Sequence, residues 1–229
     1  MPDNVMVIAA HPDDEVLGCA GTIAHHVAKG DHVNIVFLSH GVGSRDNSVT
    51  DEDVSARQNA ASKVTELLGT KVPVFLGFPD NRMDSVDMLD ITQAVEKLVQ
   101  EKKPGIIYTH FPGDLNIDHC ITHQAVLTAC RPQSQSSVRA IYCFEVLSST
   151  EWNSVTSNTF VPNVFMNITD YWDKKLEALE CYAGEMRDSP HSRSINCVKA
   201  LAMLRGETHG FHFAEAFVLE RMLINDFAD

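Results

Sequence analysis

The sequence has no run of about 18 apolar residues, so we expect no membrane-spanning helix. Acidic residues outnumber basic ones, 31 against 18, and binding to a phosphate backbone needs clustered lysine and arginine. We therefore expect no nucleic-acid partner. No basic stretch leads into an apolar segment near residue 1, so we also expect no signal peptide.

The six cysteines are scattered, and no two of them have CxxC spacing. Scattered cysteines in a chain of this length are typical of reduced thiols, so we expect a cytoplasmic protein without a disulfide framework. No GxSxG motif is present, which leaves serine-hydrolase chemistry without support. The segment GVGS at 41–44 lacks the GxGxxG pattern that a dinucleotide-binding loop requires.

The first 145 residues alternate β-rich runs with longer helical patterns. Strands separated by helices favour parallel pairing with right-handed crossovers. This predicts an α/β fold: a Rossmann-like, doubly wound, mostly parallel sheet with helices on both faces. The predicted strands are Val5–Ala10, His32–Ser39, Val72–Leu76, Gly105–Thr109 and Arg139–Phe144, and the predicted helices span about 16–29, 52–68, 86–102 and 119–130.

After residue 145 the pattern changes to a loop-rich segment, two helices and an apolar segment at 214–224. The two helices are predicted over Asp170–Gly184 and Ser194–Gly206. We interpret residues 1–229 as a single domain, in which 1–145 form the α/β core and 146–229 form a C-terminal extension that shapes the pocket. A homo-oligomer is compatible with the sequence, which does not specify an oligomeric state.

Four polar segments follow predicted strands. In open parallel sheets the carboxyl ends of the strands lie at one edge, where ligands bind. We therefore predict that the four segments open onto one site. They are HPDDE at 11–15, HGVGSR at 40–45, GFPDNRMD at 77–84 and HFPGDLNIDH at 110–119.

The HPDDE segment places His11, Asp13 and Asp14 where a buried strand ends. Neighbouring carboxylates repel one another unless a positive charge neutralises them, and a divalent metal supplies that charge. Helix capping would explain one aspartate, but not the histidine and the second aspartate. The pattern predicts that one aspartate binds the metal while the other acts as a general base.

A second cluster lies in GDLNIDHCITHQAV at 113–126. His119 and His123 share a helix face, and Asp118 is placed to orient an imidazole. Two such histidines alone are more often surface or packing residues, but the preceding strand should end beside His11. A shell of two histidines and one carboxylate favours Zn²⁺, with Fe²⁺ as the alternative.

The motif AAHPDDEVLG together with NIDH resembles the PIG-L/LmbE-like family of zinc-dependent N-deacetylases. These enzymes act on N-acetylglucosamine-type groups in glycolipid anchors and low-molecular-weight thiols. The resemblance covers most of the chain and implies removal of acetyl from a small-molecule N-acetylated amino sugar or its conjugate. Three further segments match the family: ARQNAASKVTELLG its arginine-bearing helix, LGFPDNRMD its third strand exit and RGETHGFHFAEAF its C-terminal tail.

The resemblance also implies roles for individual residues. Asp13 would be the general base, and Arg57 and Asp80 match positions that hold the substrate in relatives. The implied zinc ligands are His11, Asp14 and His119.

The chain departs from the family at Asn116, where many relatives carry a histidine that helps to stabilise the tetrahedral oxyanion. Asparagine can donate a hydrogen bond but brings no positive charge. Either Asn116 suffices, or His110 or His123 takes part of that role. The tail SPHSRS also allows two interpretations: Arg193 reaches the pocket as an anion clamp, or Ser192 or Ser194 simply caps a helix.

Two alternatives to this function stay open. One is an amidase that acts on a thiol–sugar conjugate at the same site. The other is a non-catalytic, metal-dependent sugar-binding protein, which the replacement of histidine by Asn116 favours. Asp13 favours an enzyme instead, because binding alone needs no base.

Overall fold

The computed structural model describes residues 2–43, 50–154 and 158–224. At its centre lies a seven-stranded sheet in the order β3-β2-β1-β4-β5-β7-β6. The strands are β1 (Asn4–Ala9), β2 (His32–Ser39), β3 (Val74–Phe78), β4 (Ile106–His110), β5 (Ala140–Phe144), β6 (Val164–Asn167) and β7 (Ala214–Met222). The α-helices are α1 (Asp14–Ala28), α2 (Asp51–Leu68), α3 (Met88–Lys102), α4 (Ile117–Ala129), α5 (Trp172–Cys181) and α6 (Ile195–Glu207).

The first five strands pair in parallel, which confirms the predicted Rossmann-like α/β fold. Strand β1 lies between β2 and β4, so the chain builds the sheet outward from β1 in both directions. This reversal of direction creates a crevice at the carboxyl end of β1, which is where open α/β sheets bind ligands. The HPDDE segment follows β1 at that point.

The C-terminal residues extend the same sheet. Strand β7 pairs antiparallel with β5, and β6 pairs antiparallel with β7. No strand was predicted over β6, because a four-residue, half-exposed strand is too short for an alternating pattern to stand out. The apolar segment at 214–224, to which no secondary structure was assigned, forms β7.

Apolar clusters cover both faces of the sheet. Helices α1, α2, α5 and α6 pack on one face, and α3 and α4 pack on the other. The close approach of α1 to β5 requires Gly18, since a Cβ there would lie 2.5 Å from the ring of Phe144. No helix of the described ranges is long and apolar enough to cross a membrane.

Candidate active site

A cavity of about 410 Å³ lies at the carboxyl edge of the sheet, beside the end of β1. Each of the four strand-exit segments contributes to its wall, for example through His11, Gly41, Asp80 and His119. Residues 44 and 45 of the second segment lie outside the described residues. The parallel topology accounts for this convergence, because it brings the four carboxyl ends to one edge.

The turn between β1 and α1 separates the two aspartates of HPDDE. Asp13 has φ of 118°, a left-handed conformation that is uncommon for a residue with a side chain. It occupies the N-cap position of α1, yet its side chain makes no capping hydrogen bond. Asp13 lines the cavity, whereas Asp14 is fully buried and its Oδ2 accepts a hydrogen bond from the backbone N–H of His11 at 2.9 Å. The capping interpretation therefore explains neither carboxylate.

Three predicted metal ligands meet at one point. Asp14 Oδ2 lies 3.3 Å from His11 Nδ1 and 3.3 Å from His119 Nε2, and the three ligand atoms lie within 4.8 Å of one another. The other carboxylate oxygen, Asp14 Oδ1, is buried without a hydrogen-bond partner among the described residues. A buried carboxylate oxygen of this kind is costly unless a cation contacts it. The arrangement therefore fits a divalent metal, and its donor atoms suit zinc or iron(II).

The far nitrogen of His11 is held by Asp118. Nε2 of His11 lies 3.1 Å from Asp118 Oδ2, which matches the expectation that Asp118 orients an imidazole. Asp118 is itself fixed by the backbone N–H groups of Asn81 at 2.7 Å and Met83 at 3.0 Å. A carboxylate in this position sets the orientation of the ring and leaves Nδ1 facing Asp14.

Asp114 has the same relation to His119, and the sequence did not reveal it. Asp114 Oδ1 lies 3.1 Å from His119 Nδ1, and the carboxylate also accepts hydrogen bonds from Ser149 and Thr150. Burial would raise the pKa of Asp114, but the hydrogen bond and charge of His119 lower it to about 2. The only sequence signal was its place in the same strand-exit segment, because Ser149 and Thr150 are far along the chain.

Carboxylates control the charge of both metal-facing imidazoles. Burial would lower the pKa of each ring, but hydrogen bonds to Asp118 and Asp14 raise the pKa of His11 well above its usual value. The charge of Asp14 and the hydrogen bond to Asp114 raise the pKa of His119 to about 9. Burial raises the pKa of Asp14 itself, yet the charge of His119 holds that pKa well below its ordinary range. The group thus concentrates negative charge that favours a cation.

Asp13 lies between two arginines at the cavity surface. Arg193 Nη1 donates to Asp13 Oδ2 at 2.8 Å, and Arg57 Nη1 lies 3.8 Å from the same oxygen. Burial raises the pKa of Asp13 to about 6, against the opposing charge of Arg193. Glu185, which no sequence motif indicated, pairs with Arg57 from the C-terminal extension. A carboxyl group with a pKa near neutrality is suited to taking up and releasing a proton.

The other predicted substrate contacts, Asp80 and Asn116, also lie on the cavity wall. Asp80 Oδ2 accepts a hydrogen bond from the Gly43 N–H at 2.6 Å, and Oδ1 lies 3.1 Å from His11 Nε2. Asn116 caps α4 through Oδ1, while its Nδ2 donates to Asn81 at 2.9 Å. Both side chains therefore present polar atoms that are already oriented by the protein.

His110 and His123 do not line the cavity. His110 Nε2 accepts a hydrogen bond from the Ala10 N–H, and burial lowers the pKa of this imidazole to about 4, so the ring is neutral. His123 shares a helix face with His119, but it lies one turn further along α4 and faces Glu220 of β7. The geometry gives neither histidine a position to donate to a bound oxyanion, and the expected substrate contact of His123 finds no support.

The tail SPHSRS satisfies both interpretations of its role. Ser194 caps α6 by accepting a hydrogen bond from the Cys197 N–H at 3.2 Å, while Arg193 reaches Asp13 in the cavity. At the rim, Trp152 is 53% exposed and contacts His191, with ring centroids 5.6 Å apart. Neither rim residue was predicted, because both come from the loop-rich part of the chain.

The family is decided by a match that runs from β1 to the end of α4. The sequence model of the PIG-L family, described as GlcNAc-PI de-N-acetylase, matches residues 6–130, which is more than half of the chain. The chain belongs to the PIG-L family of N-deacetylases. The matched range contains the metal-facing group of His11, Asp14 and His119, and also Asp13.

Individual relatives agree with this placement and add one different activity. The chain is 29% identical over 183 residues to the uncharacterized deacetylase YaiS of Escherichia coli K12, covering 77% of this chain and 89% of that protein. It is 27% identical over 202 residues to 4-oxalmesaconate hydratase of Pseudomonas putida KT2440, covering 80% and 74%. The structure of N,N'-diacetylchitobiose deacetylase from Pyrococcus horikoshii, bound to an inhibitor, has a TM-score of 0.77 at 21% identity, covering 96% and 84%.

Proposed function

We propose that this PIG-L protein hydrolyses the acetamide of an N-acetylated amino sugar or its conjugate, with Asp13 as general base beside a divalent metal. The observation that carries the proposal is the different position of two adjacent carboxylates, Asp13 and Asp14. Asp14 is buried and faces two imidazoles, whereas Asp13 faces the cavity. Metal binding alone needs only Asp14, so the second carboxylate has a use in proton transfer.

His11, Asp14 and His119 would hold the metal, for which zinc is the first candidate and iron(II) the second. Bound zinc supplies a Lewis acid that polarises the amide carbonyl and lowers the pKa of water to about 7. The two imidazoles would bind in their neutral form. Asp118 and Asp114 would then accept hydrogen bonds from the remaining ring N–H groups and fix the orientation of the two rings.

Asp13 takes a proton from water as that water attacks the carbonyl carbon of the acetamide. It delivers the proton to the sugar nitrogen as the carbon–nitrogen bond breaks, so that acetate and a free amine leave. The pKa of about 6 allows both transfers near neutral pH. Arg193, which donates to Asp13 Oδ2 at 2.8 Å, orients the carboxylate for this work.

The cavity wall supports a sugar as the substrate. Asp80, Asn116 and Ser148 offer hydrogen-bonding groups to hydroxyls, and Trp152 offers an apolar face at the rim. The volume of about 410 Å³ lies within the range of small-molecule sites, so a sugar can enter while its aglycone extends past the rim.

The test is acetate release from a panel of N-acetylated sugars, including disaccharides and thiol-bearing conjugates, by zinc-loaded protein. Asp13→Asn should lower kcat by about 10²–10⁴ while zinc stays bound at the active-site group, and His119→Gln should lose that zinc. Asp90→Asn, on the exposed surface of α3, is the matched control and should keep full activity. Near-full activity of Asp13→Asn would refute the assigned base.

A second candidate is the addition of water to the carbon–carbon double bond of an anionic substrate. The named activity of the 27% identical hydratase favours it, and so does Arg187 on the cavity wall. Within the described residues Arg187 forms no ion pair and donates to backbone carbonyls, so its charge is available to a carboxylate. Loss of ultraviolet absorbance from an unsaturated polycarboxylic acid, without acetate release from the sugar panel, would favour this candidate.

A further inference from the structure

A second group of metal-binding side chains lies on the α4 side of the sheet, away from the cavity. It consists of His123 on α4, Cys143 on β5 and Glu220 on β7. One ligand atom from each residue lies within 4.8 Å of the other two. None of the three residues lines the cavity described above.

His123 supplies an independent sign that this group is incomplete. The residue is only 7% exposed, and its Nε2 atom is buried without a hydrogen-bond partner among the described residues. Glu220 Oε2 lies 3.5 Å away, which is too long for a good hydrogen bond. A buried ring nitrogen left in this state is costly, and a cation between the two side chains would satisfy both.

The charges of the three side chains also suit a divalent cation. Burial lowers the pKa of His123, so its ring is neutral and has a lone pair to offer. Burial raises the pKa of the Cys143 thiol, but a coordinating thiol loses its proton outright. A thiolate and the Glu220 carboxylate would then balance the two charges of the ion. A mixed sulfur, nitrogen and oxygen donor set favours zinc over magnesium or calcium.

We propose that His123, Cys143 and Glu220 form a second, structural site that binds zinc or a similar borderline-soft divalent metal. The site would tie α4 to two neighbouring strands of the sheet, β5 and β7. His123 follows His119 by one helical turn, so the bound ion would also brace the helix that carries an active-site histidine.

Cobalt(II) titration of the chelator-treated full-length protein tests this site directly. The active-site group contains no sulfur, so thiolate-to-cobalt charge-transfer absorption in the near ultraviolet reports the second site alone. We expect two equivalents of cobalt to bind, one of them with this absorption. Cys143→Ser should abolish the absorption, whereas Cys130→Ser, a buried cysteine at the end of α4, should keep it.

A second variant covers the case in which Cys143→Ser does not fold. The Glu220 side chain is 30% exposed, so Glu220→Gln should keep the fold and weaken cobalt binding at this site by at least about tenfold. Binding of a single equivalent without near-ultraviolet absorption would overturn the proposal, as would absorption that persists in Cys143→Ser. Because neither readout needs turnover, a failure here is distinct from a failure of the proposed deacetylation.

Discussion

Zinc affinity at the active-site group should rise steeply with pH, because protons and the metal compete for the same imidazoles. The hydrogen bonds and charges of nearby carboxylates raise the pKa of His119 to about 9 and that of His11 well above its usual value. A group with a raised pKa keeps its proton below that pKa. His119 is therefore protonated at pH 7 before zinc arrives and must release a proton when it binds, and the raised pKa of His11 acts in the same direction.

The size of the effect follows from these values. Deprotonating His119 at pH 7, two units below its pKa of about 9, weakens the apparent zinc affinity by about 100-fold, or about 2.7 kcal/mol. Between pH 7 and pH 8, the proton lost from His119 should raise the affinity by about tenfold, and the raised pKa of His11 adds to this increase.

Calorimetric titration of zinc into chelator-treated Glu220→Gln protein, in which the proposed second site is weakened, measures this linkage at the active-site group. Repeating it at pH 7 in buffers of different ionisation enthalpy counts the protons released, and we expect at least the one from His119. Asp114→Asn is the informative comparison. It removes a carboxylate that raises the pKa of His119, so fewer protons should be released at pH 8. Zinc binding that releases no protons between pH 7 and pH 8 would refute the assignment of these two imidazoles as ligands.

Three further predictions concern the base and the fold. Arg193→Gln should move the acid limb of the pH profile of kcat/KM to higher pH, because Arg193 lowers the pKa of Asp13. An acid limb that stays in place would show that Arg193 does not control the protonation of the catalytic base. Glu215→Gln should lower the free energy of unfolding by about 3–5 kcal/mol in a urea titration, since it breaks the buried ion pair between Glu215 Oε1 and Lys175 Nζ at 2.6 Å. Gly18→Ala should lower that free energy by about 1–3 kcal/mol through overpacking, and a neutral result would mean that α1 shifts freely.

The amino-acid sequence by itself determined the parallel core and the place of the site. Five strand positions were predictable because continuous apolar runs alternate with helical patterns, and both signals are local. Parallel topology then requires the strand exits to meet at one edge, which brings His11 and His119 together although they are 108 positions apart. The neighbouring charges of HPDDE were sufficient to suggest a metal beside a spare carboxylate.

Only the tertiary structure decided which partner each of these groups has. The pairing of Asp114 with His119, and of Glu185 with Arg57, depends on how residues after 145 pack against the core. The helical repeat predicted that His123 shares a helix face with His119. In the fold α4 packs on β5 and β7, and His123 faces Glu220 instead of the cavity. Such contacts join distant parts of the chain through shape and burial, which leave no periodic signal in the sequence.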